Sequence, residues 1–179
     1  MKRIISLMLV AVLVLGTFTG CANKSNNDGD KPALTASLSE IADQVFEKDP
    51  SEIQVEQRKI DLADDSEEGQ WLKESALGMK DVSKIKEAVL CEPMIGSIAF
   101  SMVLVRVNDP ADAENVAKEM KENINPNKWV CVTANDIQAV GYGDVVMFIM
   151  LDDGLDLSTQ TYVDAFKDVC GADLDFTIK

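Results

Sequence analysis

The sequence predicts an α+β domain, a mostly antiparallel sheet with helices packed on one face, behind an export signal and a flexible tether. Three observations predict it. Four stretches place apolar residues at helical spacing, most of them behind a capping residue. Interspersed with them are short runs that alternate or stay apolar over strand lengths. Two of those runs are joined by Gly143-Asp144, a two-residue hairpin turn that sets its strands antiparallel.

The chain opens on Lys2-Arg3, an apolar run from Ile4 to Leu15 broken only by Ser6, and a small, polar stretch from Gly16 to Gly20 broken only by Phe18. This is the layout of a secretory signal. Its apolar core is about a dozen residues, whereas a spanning helix needs ~20. Phe18-Thr19-Gly20-Cys21 resembles the lipobox read by the bacterial diacylglyceryl transferase and lipoprotein signal peptidase, with Phe18 where Leu is usual. The resemblance implies cleavage before Cys21 and a diacylglyceryl thioether on it. Two acyl chains hold stably, each buried methylene contributing ~0.8 kcal/mol. The expected location is the extracytoplasmic face of the cell membrane. A plain secretion signal with an incidental Cys is the alternative. The expected organisation is a signal over 1–20, a lipidated tether over 21–33 and one domain over 34–179. The tether is Asn, Lys, Ser, Asp and Gly without apolar period.

Leu34 to Lys48 reads as the first helix, with Ser37 and Glu40 as a capping box and Asp49-Pro50 as its stop. In Glu52 to Leu62, Ile53 and Val55 alternate in one phase, Ile60 and Leu62 in the other, which predicts a strand with a bulge or break. An acidic turn from Asp61 to Gly69 leads into a short helix carrying Trp71, Leu72, Ala76 and Leu77, ending at Gly78. A strand fills the second half of Lys84 to Glu92. Ile95 to Val107 is a long strand with few charges, expected in the middle of the sheet. Asp109 caps the next helix, Pro110 suits its first position, and Asn125-Pro126 closes it. Trp129 to Thr133, Ile137 to Tyr142 and Val145 to Leu151 read as strands. After a loop, Ser158 to Cys170 is a helix with Gly171 as its cap, and Leu174, Phe176 and Ile178 alternate as a short closing strand.

Against 17 Lys and Arg stand 31 Asp and Glu, a net charge of −14 that becomes more negative when the signal is removed. Such a surface repels nucleic-acid phosphates, so nucleic acid is not an expected partner. Cys21 is assigned to the anchor; Cys91, Cys131 and Cys170 sit in apolar neighbourhoods and are expected buried and reduced, with one disulfide as the alternative.

Residues 83–124, then Lys128-Trp129-Val130-Cys131-Val132 and the hairpin through Leu151, resemble the uncharacterised lipoproteins classed as domain of unknown function 4358, found mainly in Gram-positive anaerobes. The resemblance is carried by Glu92-Pro93-Met94-Ile95-Gly96-Ser97-Ile98-Ala99, the Val103-to-Val107 strand with its helix, and the Lys-Trp-Val-Cys-Val block. It implies a membrane-anchored extracytoplasmic domain and supplies no catalytic residue.

The chain has no His, which removes Ser-His-Asp, Cys-His and ordinary catalytic zinc sets. Ser83-Lys84-Ile85-Lys86 satisfies Ser-x-x-Lys, but no Ser-Asp-Asn or Lys-Thr-Gly follows, and an exposed basic stretch is the ordinary reading. Gly141-Tyr142-Gly143 reads as hairpin punctuation, not a dinucleotide loop. Asp152, Asp153 and Asp156 around Gly154 are weak candidates for a calcium loop; EF-hand spacing fails at Val163. Asp61, Asp64, Asp65, Glu67 and Glu68 form a second acidic cluster. Trp71 and Trp129 could stack on sugars but are expected to fill the core. No cofactor and no catalysis is expected. The function implied is a non-enzymatic accessory with an envelope protein partner; the alternative is a binding module for a small ligand, cation or cell-wall fragment.

Overall fold

Phe100–Val107 is buried at every position, so both faces of that strand need cover. The computed structural model, which describes residues 33–48, 51 and 53–179, supplies cover from both sides. Its strands are β1 (Val55–Lys59), β2 (Ile85–Pro93), β3 (Phe100–Val107), β4 (Asp136–Tyr142), β5 (Val145–Leu151) and β6 (Phe176–Ile178). They form one sheet in the order β1-β2-β3-β5-β4-β6, antiparallel throughout. The helices are α1 (Leu38–Phe46), α2 (Glu67–Leu77), α3 (Ala113–Asn123) and α4 (Thr159–Cys170).

The α+β class and the antiparallel sheet are as the sequence predicts. The helices lie on both faces, not one. Side chains alternate across a strand, so β5, apolar throughout, and β3, apolar except at Ser101 and Arg106, present two apolar faces. Phe100, Met102, Leu104, Met147 and Ile149 join α1 and α4 in one core. Val103, Val105, Val146, Phe148 and Met150 join α2 and α3 in the other.

Two-sided cover also explains the phase change in the first strand. No bulge is present: Val55 to Lys59 pair in continuous register with Pro93 to Val89. Val55 packs on the α1/α4 core, while Ile60 and Leu62 pack on the α2/α3 core. The irregularity lies in β2, between Ile85 and Glu87. It puts Ile85 in the same core as Ala88 and Leu90 despite the odd spacing.

Caps set the helix ends. Ser37 and Glu40 form the expected box, with the Ser37 amide donating to Glu40 Oε2 at 2.9 Å. That backbone bond, aided by the Ser37 hydroxyl, holds the Glu40 carboxyl below its ordinary range. α1 starts at Leu38 because the preceding backbone is tied elsewhere: Arg106 takes the carbonyls of Leu34 and Ala36 at 3.0 and 2.7 Å. Asp109 caps a 3-10 turn over Pro110–Asp112, and α3 begins only at Ala113. Gly78 closes α2 at φ 69°, where the ends of α2 and α3 approach so closely that a Cβ would lie 2.8 Å from the Ile124 amide.

Two strand assignments are corrected. β3 begins at Phe100, since residues 95–99 turn, and Trp129 to Thr133 is not a strand. Cys131 there has φ 63°, which breaks extended backbone. The segment is instead tethered through its ends, the Val130 amide to Gly96 O at 3.1 Å and the Ala134 amide to Pro126 O at 2.9 Å. The lipobox residues Phe18, Thr19, Gly20 and Cys21, the tether to residue 32 and the Asp49-Pro50 stop lie outside the described residues. Among the described residues no helix is long and apolar enough to cross a membrane.

Candidate functional site

The β2–β3 turn leaves apolar side chains outside both cores. Pro93 ends β2, and the following turn closes with the Ile98 amide on Ile95 O at 3.3 Å. Met94 is 83% exposed and Ile95 61%. They line a groove of about 960 Å³ together with Ile53 and Val55 at the start of β1 and Leu155 and Leu157 after β5. Among the described residues its charged lining is Glu56 and Asp156, with no Lys or Arg. β1 is an edge strand paired with β2 on one side. Adjacent exposed apolar side chains beside an open strand edge are the features by which extended segments dock. Ile95, expected at the start of the long strand, lies instead in the turn after Pro93, which leaves it and Met94 outside both cores.

The acidic loop forms one side of this groove. Asp152 Oδ1 accepts the Gly154 amide at 3.0 Å, capping a 3-10 turn over Asp153–Leu155. Asp153 exchanges two bonds with Asn135, at 2.6 and 2.8 Å. Asp156 adopts φ 56° and lines the groove. The three do not converge: among the described residues no group of three or more Asp, Glu, Cys or His is placed to hold a metal. In the earlier acidic cluster, Asp61 and Asp64 accept local amides and Asp65 pairs with Lys73 at 3.6 Å.

The loop after α3 is held by one lysine. Lys128 Nζ lies 2.5 Å from Glu92 Oε1, 3.0 Å from Ser75 O and 3.2 Å from Ser101 Oγ, with its charge 5.2 Å from the Trp129 ring centre. Burial pushes the ammonium below its ordinary pKa; Glu92 opposes that shift and Arg58 reinforces it. A serine and a lysine are thus adjacent, at positions no local motif marks. Ser101 has no exposed surface, and the Lys128 ammonium donates to Ser75 O and Ser101 Oγ while pairing with the Glu92 carboxylate, so the pair is a structural anchor.

The other sequence candidates fall apart from one another. Ser83, Lys84 and Lys86 are exposed, as their ordinary reading has it, and Lys84 pairs with Asp112 at 2.8 Å. Gly141 is a strand residue against the Phe176 ring, where a Cβ would come within 2.2 Å. Trp71, expected in the core, is 65% exposed; Trp129 is half-buried on the α2/α3 core. The three cysteines are free, but only Cys91 and Cys170 are buried and Cys131 is exposed. Neighbouring apolar residues did not bury Cys131 because its segment is a loop. Desolvation pushes the Cys91 thiol up to about 12, with Asp43 and Glu92 adding to it, and the Cys170 thiol also to about 12, with Asp175 adding.

No family model, curated protein or solved structure matches this chain.

Proposed function

We propose that the chain is a non-catalytic, lipid-anchored domain on the extracytoplasmic face of the membrane, and that its groove holds an extended apolar segment of an envelope protein. The observation that carries this reading is the exposure of Met94 and Ile95 on the rim of the apolar groove. Charge selects the occupant: with Glu56 and Asp156 in the lining and a net charge of −14, the complementary segment carries Lys or Arg beside its apolar residues. The export signal, Cys21 and the likeness of residues 83–151 to uncharacterised lipoproteins support the location.

The test is crosslinking in cells followed by pull-down, comparing the native chain with a Met94→Ser/Ile95→Ser variant and with Cys21→Ala behind a cleavable signal. Both groove residues are exposed, so the variant should keep its stability within about 0.5 kcal/mol. One discrete envelope protein, captured by the native chain and lost from the groove variant, is the expected result. Equal capture by both removes the groove from the proposal. Equal capture by the Cys21→Ala form removes the need for the anchor.

A further inference from the structure

A second concavity lies across the molecule's other helical layer. Its floor and one wall come from α2, where Trp71, Glu74 and Ser75 recur at helical spacing and so share a face. The facing wall is the end of α3 and its loop, with Asn123, Asn125 and Asn127. The cleft encloses about 550 Å³, within the span of small-molecule sites.

Its chemistry is selective. The Trp71 indole is 65% exposed, a large flat apolar surface left in water at the rim. Asn125 Oδ1 accepts the Asn127 amide at 3.0 Å, and Asn127 Oδ1 accepts the Thr133 hydroxyl at 2.7 Å. These bonds fix the two side chains through their oxygens, and neither uses the amide nitrogens. The two ammoniums in the lining are both neutralised, Lys80 by Glu74 at 3.3 Å and Lys128 by Glu92. Lys80 stays exposed in its pair, so charge balance is what disfavours a phosphate or carboxylate: among the described residues Lys80 and Lys128 in the lining are offset by Glu74 and Glu92, leaving no net attraction for an anion. The fit is to a neutral molecule with one flat apolar face and many hydroxyls around its edge. A pyranose ring has that form: its axial C–H groups stack on an aromatic face while its hydroxyls meet amides and a carboxylate.

We propose that the cleft between α2 and the end of α3 binds a short neutral saccharide, with Trp71 as the stacking platform and the asparagine amides as hydrogen-bonding groups. This site is distinct from the apolar groove and does not depend on it.

The test is isothermal titration calorimetry of the full chain in detergent with N,N′-diacetylchitobiose, cellobiose and maltose, and with adenosine as a flat non-saccharide control. At least one saccharide should bind saturably. Trp71→Ala should weaken that binding tenfold or more, and Trp71→Phe should restore part of it. Because the indole is exposed, both variants should melt with the native chain, which separates lost binding from lost folding. Met94→Ser/Ile95→Ser should bind the saccharide unchanged. Failure of all three saccharides overturns the proposal, as does binding that survives Trp71→Ala or saturable binding of adenosine alone.

Discussion

Replacing Lys128 by Met tests the reasoning about the buried lysine most directly. Methionine keeps an unbranched apolar chain and removes the charge. Glu92, with a side chain only 26% exposed, is left without its cation, and Ser75 O and Ser101 Oγ lose their donor. Removing one partner of a fully buried pair costs ~3–5 kcal/mol; the access of Glu92 to water reduces this to about 2–3 kcal/mol. For a chain of this size that lowers Tm by roughly 5–10 °C. Burial lowers the Lys128 pKa in spite of Glu92, so holding the ammonium costs more than the carboxylate returns. The sign follows. The folded pKa lies below the unfolded one, so the unfolded state binds more protons in that window. The penalty is full at neutral pH and fades as pH rises through the folded and then the unfolded value. A neutral pair should therefore replace the ion pair at little net cost, and Lys128→Met/Glu92→Gln should lie within about 1 kcal/mol of the native chain. Urea unfolding followed by far-UV circular dichroism, extrapolated to water, reads all three. A single variant as stable as the native chain would refute the anchor. A double variant no better than the single one would refute the role of Glu92.

Three further outcomes follow from the buried guanidinium and the three thiols. Arg106→Met should cost about 2–3 kcal/mol, because it unpairs Glu87 and Asp144 and frees the carbonyls of Leu34 and Ala36. Hydrogen exchange should then quicken ahead of α1, and Arg106→Lys should not rescue it, since an ammonium lacks the guanidinium fork. Among Cys91, Cys131 and Cys170, only Cys131 should react with a thiol reagent in the folded protein, as read by peptide mass spectrometry. The two buried thiols titrate at about 12 when folded against a reference of 9.0, so the native state retains protons that the unfolded state loses. They should erode stability as pH rises from about 9 towards 12, and Cys91→Ala/Cys170→Ala should flatten that slope.

Local signals in the sequence were sufficient for much of the fold. The Ser37–Glu40 box, Asp109 before Pro110, and Gly78 and Gly171 at helix ends are read from neighbours within a turn, and each appears as a cap. The Gly143-Asp144 hairpin and the apolar β5 are equally local. What failed depended on contacts distant in sequence. Residues 129–133 have strand composition, yet Lys128 is held by residues 27, 36 and 53 positions away and Cys131 turns left-handed. Trp71 is apolar but lies on the outer face of α2, and only the packing of that helix leaves it in water.

The sequence by itself determined the α+β class, the caps, the hairpin and the acidic balance, because propensity, turn chemistry and charge act over a few residues. Tertiary structure decided which faces are covered and which side chains stay out. An apolar run such as β5 states that its residues avoid water, without stating what lies against each face. Met94, Ile95 and Trp71 become candidate contact residues only once the sheet and helices have filled their own interiors and left these three outside. Exposure is the remainder of packing, and packing is settled between elements far apart in the chain.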